Sequence, residues 1–355
     1  MLSDTFRKNS KKNTDGAITN VICNSAKNGL IPQRDYFDKD IANADNTDGY
    51  YIIEKDDFVY NPRKSTEAPY GPVSIYKYTE KGIVSPLYLC FRALHPINAE
   101  FFDFYFKSSA WHRYIYLAGD SGTRHDRVSI RDDVFFAMPI SLPSAAEQDK
   151  ISSLFILIEQ RIKAQSALVE TLKKYKRGVS NKIFADASLW DQVPFLDLFS
   201  AVSDKPYQIT TSEYYDTGVF EVVDQGKNDI VGYNDDASKV YFAVPIIIYG
   251  DHTTIIKYRD KPFIVGGDGV KLLSTHTKNS IQYLYYALCQ YNIKPEGYKR
   301  HFSIVKELNL PVPSLDQQQR IAKVLATIDL KIQKETMLLE VLLSQKKSLL
   351  QQLFI

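Results

Sequence analysis

Two segments of the chain, residues 143–184 and 313–354, share one pattern of apolar and polar positions. In the first segment, apolar side chains recur at 151, 154, 155, 158, 162, 168, 169 and 172, and in the second they recur 170 residues later. Steps of three and four residues place such side chains along one stripe of an α-helix. Eleven of the 42 aligned positions are identical, so the pattern indicates an internal duplication.

A helix-start signal precedes each stripe. Both copies match the capping box S-x-x-E/Q directly after a proline: Ser144 with Glu147, and Ser314 with Gln317. We therefore expect long helices within the segments 143–189 and 313–355, each roughly 60 Å long for about 40 residues. Because helices of that length need a partner, the two matching stripes predict an antiparallel coiled coil.

One position in the middle of each stripe is polar, Gln165 in the first copy and Glu335 in the second. If the helices lie antiparallel with their centres matched, these two side chains meet. A buried polar pair of this kind can fix the register of a coiled coil. The alternative is that both side chains are solvated at imperfections of the stripe.

The segments before the helices, 1–142 and 190–312, predict two compact domains of mixed α and β structure (α+β). Short runs rich in Tyr, Ile and Val are separated by Gly, Asp and Asn turns, which is typical of strands. We expect strands at 50–53, 72–78, 219–223, 240–249 and 263–265, and helical aromatic stretches at 101–116 and 281–291. These features come in the same order in both halves, so the sequence predicts two domains related by pseudo-two-fold symmetry and separated by long helices.

Composition narrows the possible functions. The 355 residues carry 44 Lys and Arg against 42 Asp and Glu, so any surface for nucleic acid must be a local patch. The three cysteines stand far apart without a CxxC pair, which argues against a disulfide scaffold or a zinc site. The polar first residues do not resemble a signal peptide, and we expect a cytoplasmic protein.

Catalytic motifs are missing from the sequence. It contains no phosphate-binding loop G-x-x-x-x-G-K-[ST], no zinc-binding H-E-x-x-H and no nucleophile elbow G-x-S-x-G. The six histidines form no i,i+4 pair that would suit a metal. We therefore expect a non-catalytic chain without a metal or cofactor of its own.

Basic and aromatic side chains occur at matching loops of the two domains, after a strand and after the aromatic helix. Arginine can contact guanine, and Lys, His and Tyr can reach phosphates, base edges or sugars. The candidate DNA-binding residues are Arg63, Lys64, Arg124, His125 and Arg127 in the first domain, and Tyr249, His252, Tyr298, Lys299, Arg300 and His301 in the second. Each alone is more typical of a surface charge or a core aromatic, and the recurrence in both halves favours a function.

The order domain, helix, domain, helix resembles the specificity subunit of type I restriction-modification systems. The similarity spans the chain and is strongest at the helix starts. The motifs that carry it are Leu142-Pro143-Ser-Ala-Ala-Glu147-Gln148 and Leu310-Pro311-Val-Pro313-Ser-Leu-Asp-Gln317-Gln318, together with Tyr249-Gly250-Asp251-His252-Thr253 and Gly297-Tyr298-Lys-Arg300-His301-Phe302.

The resemblance implies a DNA reader in which two target recognition domains each read one half of a bipartite, asymmetric site. It also implies that the helices set the gap between the half-sites and dock methyltransferase subunits, which number two in that family. S-adenosylmethionine and ATP are then expected on the partner methyltransferase and restriction endonuclease subunits. A different hypothesis is a coiled-coil scaffold that assembles partners without reading DNA.

Overall fold

The computed structural model describes residues 1–36, 47–119, 126–297 and 299–354. The chain forms two compact units, Met1–Gln165 with Leu338–Ile355, and Ser166–Met337. Each unit therefore contains one mixed α and β domain and a part of both long helices. The repeat in the sequence divides the chain differently, into two domains (1–142 and 190–312) and two helical segments (143–189 and 313–355). That division stays a prediction.

The first unit is built on a four-stranded antiparallel sheet in the order β1-β8-β5-β6, beside the hairpin β2-β3 and the pair β4-β7. Its strands are β1 (Phe6–Lys8), β2 (Ile22–Ser25), β3 (Gly29–Pro32), β4 (Tyr51–Ile53), β5 (Phe58–Tyr60), β6 (Val73–Ile75), β7 (Gly82–Val84) and β8 (Leu89–Ala93). Its helices are α1 (Gln33–Tyr36), α2 (Ala99–Lys107), α3 (His112–Ala118), α4 (Asp132–Phe136) and the beginning of α5 (Ala145–Ile183).

The second unit repeats that sheet in the order β10-β18-β15-β16 and adds a mixed sheet, β11-β17-β12-β13 with β14 on β17, and the pair β19-β9. Its strands are β9 (Asp191–Pro194), β10 (Ser200–Val202), β11 (Gln208–Ile209), β12 (Phe220–Val223), β13 (Gly232–Asn234), β14 (Val240–Tyr241), β15 (Ile246–Gly250), β16 (Ile256–Arg259), β17 (Phe263–Gly266), β18 (Val270–Ser274) and β19 (Asn309–Val312). Its helices are α6 (Phe195–Leu198), α7 (Ile281–Tyr291), α8 (Phe302–Val305) and the beginning of α9 (Leu315–Leu353).

Aromatic side chains fill the core of the first unit. Phe6 meets Phe91 edge to face at 5.3 Å between ring centroids and Phe102 at 4.9 Å. From α5, Phe155 stacks on Phe104 of α2 at 4.9 Å. The long helix is therefore anchored to the domain by the favoured geometries of aromatic pairs.

Both predicted capping boxes are present. At the start of α5, the Ser144 N–H donates to Glu147 Oε2 at 2.9 Å, and at the start of α9 the Ser314 N–H donates to Gln317 Oε1 at 3.3 Å. The next residue, Gln148 or Gln318, donates its side-chain amide to the carbonyl of the preceding proline at 3.0 or 2.8 Å. The motif of the sequence is thus a local device that satisfies backbone groups at a helix start.

The two long helices run antiparallel within each unit. Glu159 of α5 forms an ion pair with Lys346 of α9 at 2.6 Å in the first unit, and Lys176 of α5 pairs with Asp329 of α9 at 2.5 Å in the second. Positions 159 and 329 are 170 residues apart, as are 176 and 346. The same ion pair therefore occurs once in each copy of the repeat.

Two sequence predictions need correction. The run 240–249 is not one strand, because Pro245 offers no N–H for a ladder and the segments on either side join different sheets, β14 on β17 and β15 on β18. The stretch 101–116 is likewise two helices, because the chain is extended at Ser108 (φ −81°, ψ 175°), where α2 ends. Among the described residues, no helix combines the length and apolarity that a membrane span requires.

Candidate nucleic-acid interface

In the first unit, the loop after β5 pairs with the segment before α4. The Lys64 N–H donates to the Asp126 carbonyl, and the Val128 N–H donates to the Pro62 carbonyl, both at 2.9 Å. These two bonds flank an isolated antiparallel bridge between Arg63 and Arg127. The predicted pair of basic loops is therefore one two-stranded ribbon. Arg124 and His125 lie outside the described residues.

The ribbon borders a cleft of about 500 Å³. Arg63 is exposed, whereas Lys64 and Arg127 are partly buried. The cleft is also lined by Lys27 of the β2-β3 turn and by Tyr88. Burial raises the pKa of Tyr88, which lines the same cleft.

The second unit repeats one of the two hydrogen bonds of the ribbon, the bond between Val128 and Pro62. After β15, the His301 N–H donates to the Asp251 carbonyl at 2.8 Å, as the Val128 N–H does to Pro62. His301 therefore takes the place of Val128, and Arg300 takes the place of Arg127. The repeat in the sequence aligned Arg124 and His125 with Arg300 and His301. The hydrogen bonds instead align residues three positions later, Arg127 and Val128, with that pair.

His301 is buried in the loop and has no exposed surface. Its Nε2 accepts a hydrogen bond from the Glu296 N–H at 3.0 Å, so the proton of a neutral ring lies on Nδ1, which is 3.1 Å from the Asp251 carbonyl. The following Phe302 N–H donates to Asp251 Oδ1 at 2.9 Å. In this conformation the imidazole therefore holds the loop that carries Arg300, and contact between His301 and DNA stays a prediction.

Tyr249 also lies in the core, with 0% of its surface exposed. Its ring packs against Phe302 at 5.9 Å between centroids, and burial raises the pKa of its hydroxyl. Tyr60 holds the same position at the end of β5, where it stacks on Phe135 at 5.0 Å. Tyr249 is buried in this position, and its direct contact with DNA stays a prediction.

The remaining candidates of the second unit lie at the surface or near it. Arg300 and Lys299 are exposed, and Lys299 forms an ion pair with Glu296 at 2.5 Å. His252 is half-buried, and its backbone N–H donates to Gln225 Oε1 at 3.0 Å. Tyr298 lies outside the described residues. Direct DNA contact by Arg300, Lys299 and His252 stays a prediction, as it does for Arg63, Lys64 and Arg127.

Two basic residues of β16 that were not predicted as site residues bind the loop after β12, which contains Gln225. Lys257 of β16 is buried and donates from Nζ to the carbonyl of Asp224 at 2.8 Å, and burial lowers its pKa. Arg259, two residues later on the same face, pairs with Glu221 and with Asp229 at 3.2 Å. Charged residues two positions apart on a strand are typical of a solvated face. The sequence pattern therefore did not predict that Lys257 and Arg259 are buried and hold a loop.

The predicted register pair remains untested. Glu335 forms an ion pair with Lys331 one helical turn earlier in α9. Within each unit, an ion pair joins the antiparallel helices: Glu159 with Lys346 in the first and Lys176 with Asp329 in the second. In the second unit this contact is extended by Tyr286 of α7, whose hydroxyl donates to Asp329 at 2.8 Å and whose ring lies 5.4 Å from Lys176 Nζ.

The comparisons with known proteins agree on one family. Residues 187–343 match the family model described as the type I restriction modification DNA specificity domain. The chain is 30% identical over 124 residues to the type I restriction enzyme EcoR124I/EcoR124II specificity subunit of Escherichia coli. That match covers 32% of this chain and 30% of the E. coli protein.

Solved structures share the fold along the whole chain. An S subunit of a type I restriction-modification system from M. genitalium superposes with a TM-score of 0.61 at 16% identity, covering 100% of this chain and 95% of that one. A chain from a structure on complex assembly and conformational transition of the type I R-M system gives a TM-score of 0.57 at 13% identity, covering 98% and 95%.

The second domain therefore matches the DNA specificity domain, and the first domain repeats the order of its central sheet and the hydrogen bond of its basic loop. The chain therefore shares its fold with S subunits of type I restriction-modification systems, and its second half matches their DNA specificity domain.

Proposed function

We propose that the chain is the DNA-reading subunit of a type I restriction-modification complex, with one target recognition domain for each half of a bipartite site. The observation that carries the proposal is the duplicated architecture: the same sheet order, the same hydrogen bond from the basic loop to the strand end, and the same ion pair between long helices occur in both units. A protein with two related but unlike reading surfaces suits a site with two unlike halves.

Differences between the two surfaces support an asymmetric site. Where the first unit has Arg63 opposite Arg127, the second has His252 near the loop of Arg300. An imidazole and a guanidinium offer different hydrogen-bonding groups to base edges and phosphates. The two domains therefore have no physical reason to favour the same bases.

The long helices supply surface for partner subunits. Several large apolar side chains of α5 and α9 are exposed in the isolated chain, among them Leu157 at 62%, Tyr175 at 59% and Met337 at 58%. Exposed apolar side chains on a rigid helix are typical of a docking surface. In this proposal two methyltransferase subunits dock there and carry S-adenosylmethionine, while restriction endonuclease subunits supply the ATP-driven step in the cytoplasm. This chain contributes no catalytic group.

The test uses the purified chain with type I methyltransferase subunits, S-adenosylmethionine and genomic DNA. We expect adenine methylation at one two-part sequence only when the chain is present, and salt-dependent duplex binding by the complex, because phosphate contacts weaken as salt rises. Methylation that does not depend on this chain, or a complex that forms without binding duplex DNA, would contradict the proposal and favour a scaffold.

A further inference from the structure

The two arginines of the first unit are directly opposed across the ribbon. The hydrogen bonds from Lys64 to Asp126 and from Val128 to Pro62 flank the bridge between Arg63 and Arg127, which makes these two residues a non-hydrogen-bonded antiparallel pair. Opposed residues of this kind have Cα atoms about 4.5 Å apart and side chains on the same face. The backbone therefore starts two arginine side chains from opposed positions on one face of the ribbon.

Two like charges directly opposite each other destabilise a strand pair. Among the described residues, neither Arg63 nor Arg127 has an ion pair with a carboxylate, although other arginines of the chain do, such as Arg92 with Asp57 at 2.6 Å. In that same part of the chain, Arg127 Nε is buried without a hydrogen-bond partner. The fold thus keeps an unneutralised pair of charges and a buried donor at one place.

The surroundings of the pair form a cleft rather than a flat surface. Both arginines line the cleft of about 500 Å³, together with Lys27 and Lys64, whereas its acidic lining is the exposed Glu67. Positive charge concentrated at a recess attracts anions more strongly than the same charge on an open surface.

We propose that Arg63 and Arg127 clamp one phosphodiester group of the DNA backbone in this cleft. A guanine base also matches an arginine, but it is neutral and would leave the repulsion between the two guanidinium groups in place. A phosphodiester carries the negative charge that removes it, and each guanidinium can donate two hydrogen bonds to its oxygens. This inference rests on the proposed function and deepens it: the contact would contribute to the affinity for DNA and not to recognition of the base sequence.

The second unit lacks this clamp. The bond from His301 to Asp251 is kept, but Phe302 donates to the side chain of Asp251, and the residue that replaces Arg63 is His252. The pair of arginines is therefore a property of the first reading surface, while Arg300 stands without an opposed arginine.

A direct test measures the melting temperature of the full chain in sodium sulfate and in sodium chloride at equal ionic strength. Sulfate should raise the melting temperature of the wild type by about 2 °C or more beyond the rise in Arg63→Gln and Arg127→Gln. The exposed Lys55, which does not line the cleft, gives a matched control: Lys55→Gln loses one charge and should respond like the wild type. At low salt without sulfate, Arg63→Gln should melt no lower than the wild type, because repulsion is relieved. Equal sulfate responses in all four proteins, or a lower melting temperature of Arg63→Gln at low salt, would overturn the clamp.

A second measurement uses the complex with its methyltransferase subunits and a random-sequence duplex. Each of the two arginine substitutions should reduce the slope of log affinity against log salt concentration by about 1 without altering the preferred sequence. A changed sequence preference would mean that the arginines touch a base, which overturns the inference but keeps the proposed function. A wild-type complex that binds no duplex, with the sulfate effect intact, would instead overturn the proposed function and leave an anion site.

Discussion

Each long helix runs from one compact unit into the other, so lengthening both at that junction should lengthen the gap between the half-sites. The insertion places seven residues between Gln165 and Ser166 and seven between Met337 and Leu338, each a copy of the preceding seven. A heptad keeps the apolar stripe on one face, because seven residues turn a helix only about 20° short of two full turns. The ion pairs of Glu159 and Lys176 stay within their own units.

The expected magnitude follows from helix geometry. Seven residues add about 10.5 Å at 1.5 Å each, and base pairs rise about 3.4 Å each, so the unread gap should grow by about three base pairs. Three base pairs turn a duplex of about 10.5 base pairs per turn by roughly 100°, and the helices do not match that rotation. The new site should therefore be bound more weakly than the original one.

The assay is long-read mapping of methylated adenines in cells that carry the complex. A control variant receives the heptad in α5 alone, which displaces the antiparallel partners by about 10.5 Å. We expect that control to lose methylation without acquiring a longer site. An unchanged gap in the doubly extended chain, with methylation retained, would refute the idea that the helices set the spacing.

Two further predictions concern the contacts of the long helices. A double-mutant cycle with Glu159→Gln and Lys346→Met should give a coupling of about 0.5–1 kcal/mol in denaturant unfolding at pH 7, since the pair is only partly exposed. Burial raises the pKa of Glu159, but the neighbouring lysines outweigh it and hold the pKa below its ordinary value of 4.5, so the coupling should be present above that value and fade as the pH falls further. Gln318→Ala should lower the free energy of unfolding by about 1–3 kcal/mol. The Gln318 side chain is 1% exposed, accepts a hydrogen bond from the Ser280 N–H at 2.9 Å and donates to Asn279 and to the Pro313 carbonyl. Gln148→Ala should lower it less, because among the described residues the Gln148 side chain donates only to the Pro143 carbonyl. Equal costs in thermal unfolding would contradict the structural difference between the two helix starts.

The sequence predicted what depends on local signals and repeated patterns. Periodic apolar positions predicted both long helices, and the capping boxes at Ser144 and Ser314 predicted their starts to within a residue. Runs rich in β-branched and aromatic residues marked strands such as β12 and β17. These features need only a few neighbouring residues, so they are readable without the tertiary structure.

What the sequence could not predict depends on which segments meet. His301 reads as a loop cation beside Arg300, but the bond from Glu296 and the position of Asp251 turn its ring inward. The pairing of Arg63 with Arg127 joins residues 64 positions apart and is visible only once Lys64 and Asp126 share a hydrogen bond. Burial and long-range pairing decided these roles, and residue type alone did not.

The most direct test of the account compares methylated sites in cells that carry the wild-type chain or Arg300→Ala. Arg300 is exposed on the loop that His301 fixes in the second domain, and loss of one base contact typically costs about 1–3 kcal/mol at that position. We predict that base preference relaxes within one half of the bipartite site, while the other half and the gap stay unchanged. A uniform loss at both halves, with the chain still folded and bound to its methyltransferase subunits, would contradict the claim that each domain reads its own half.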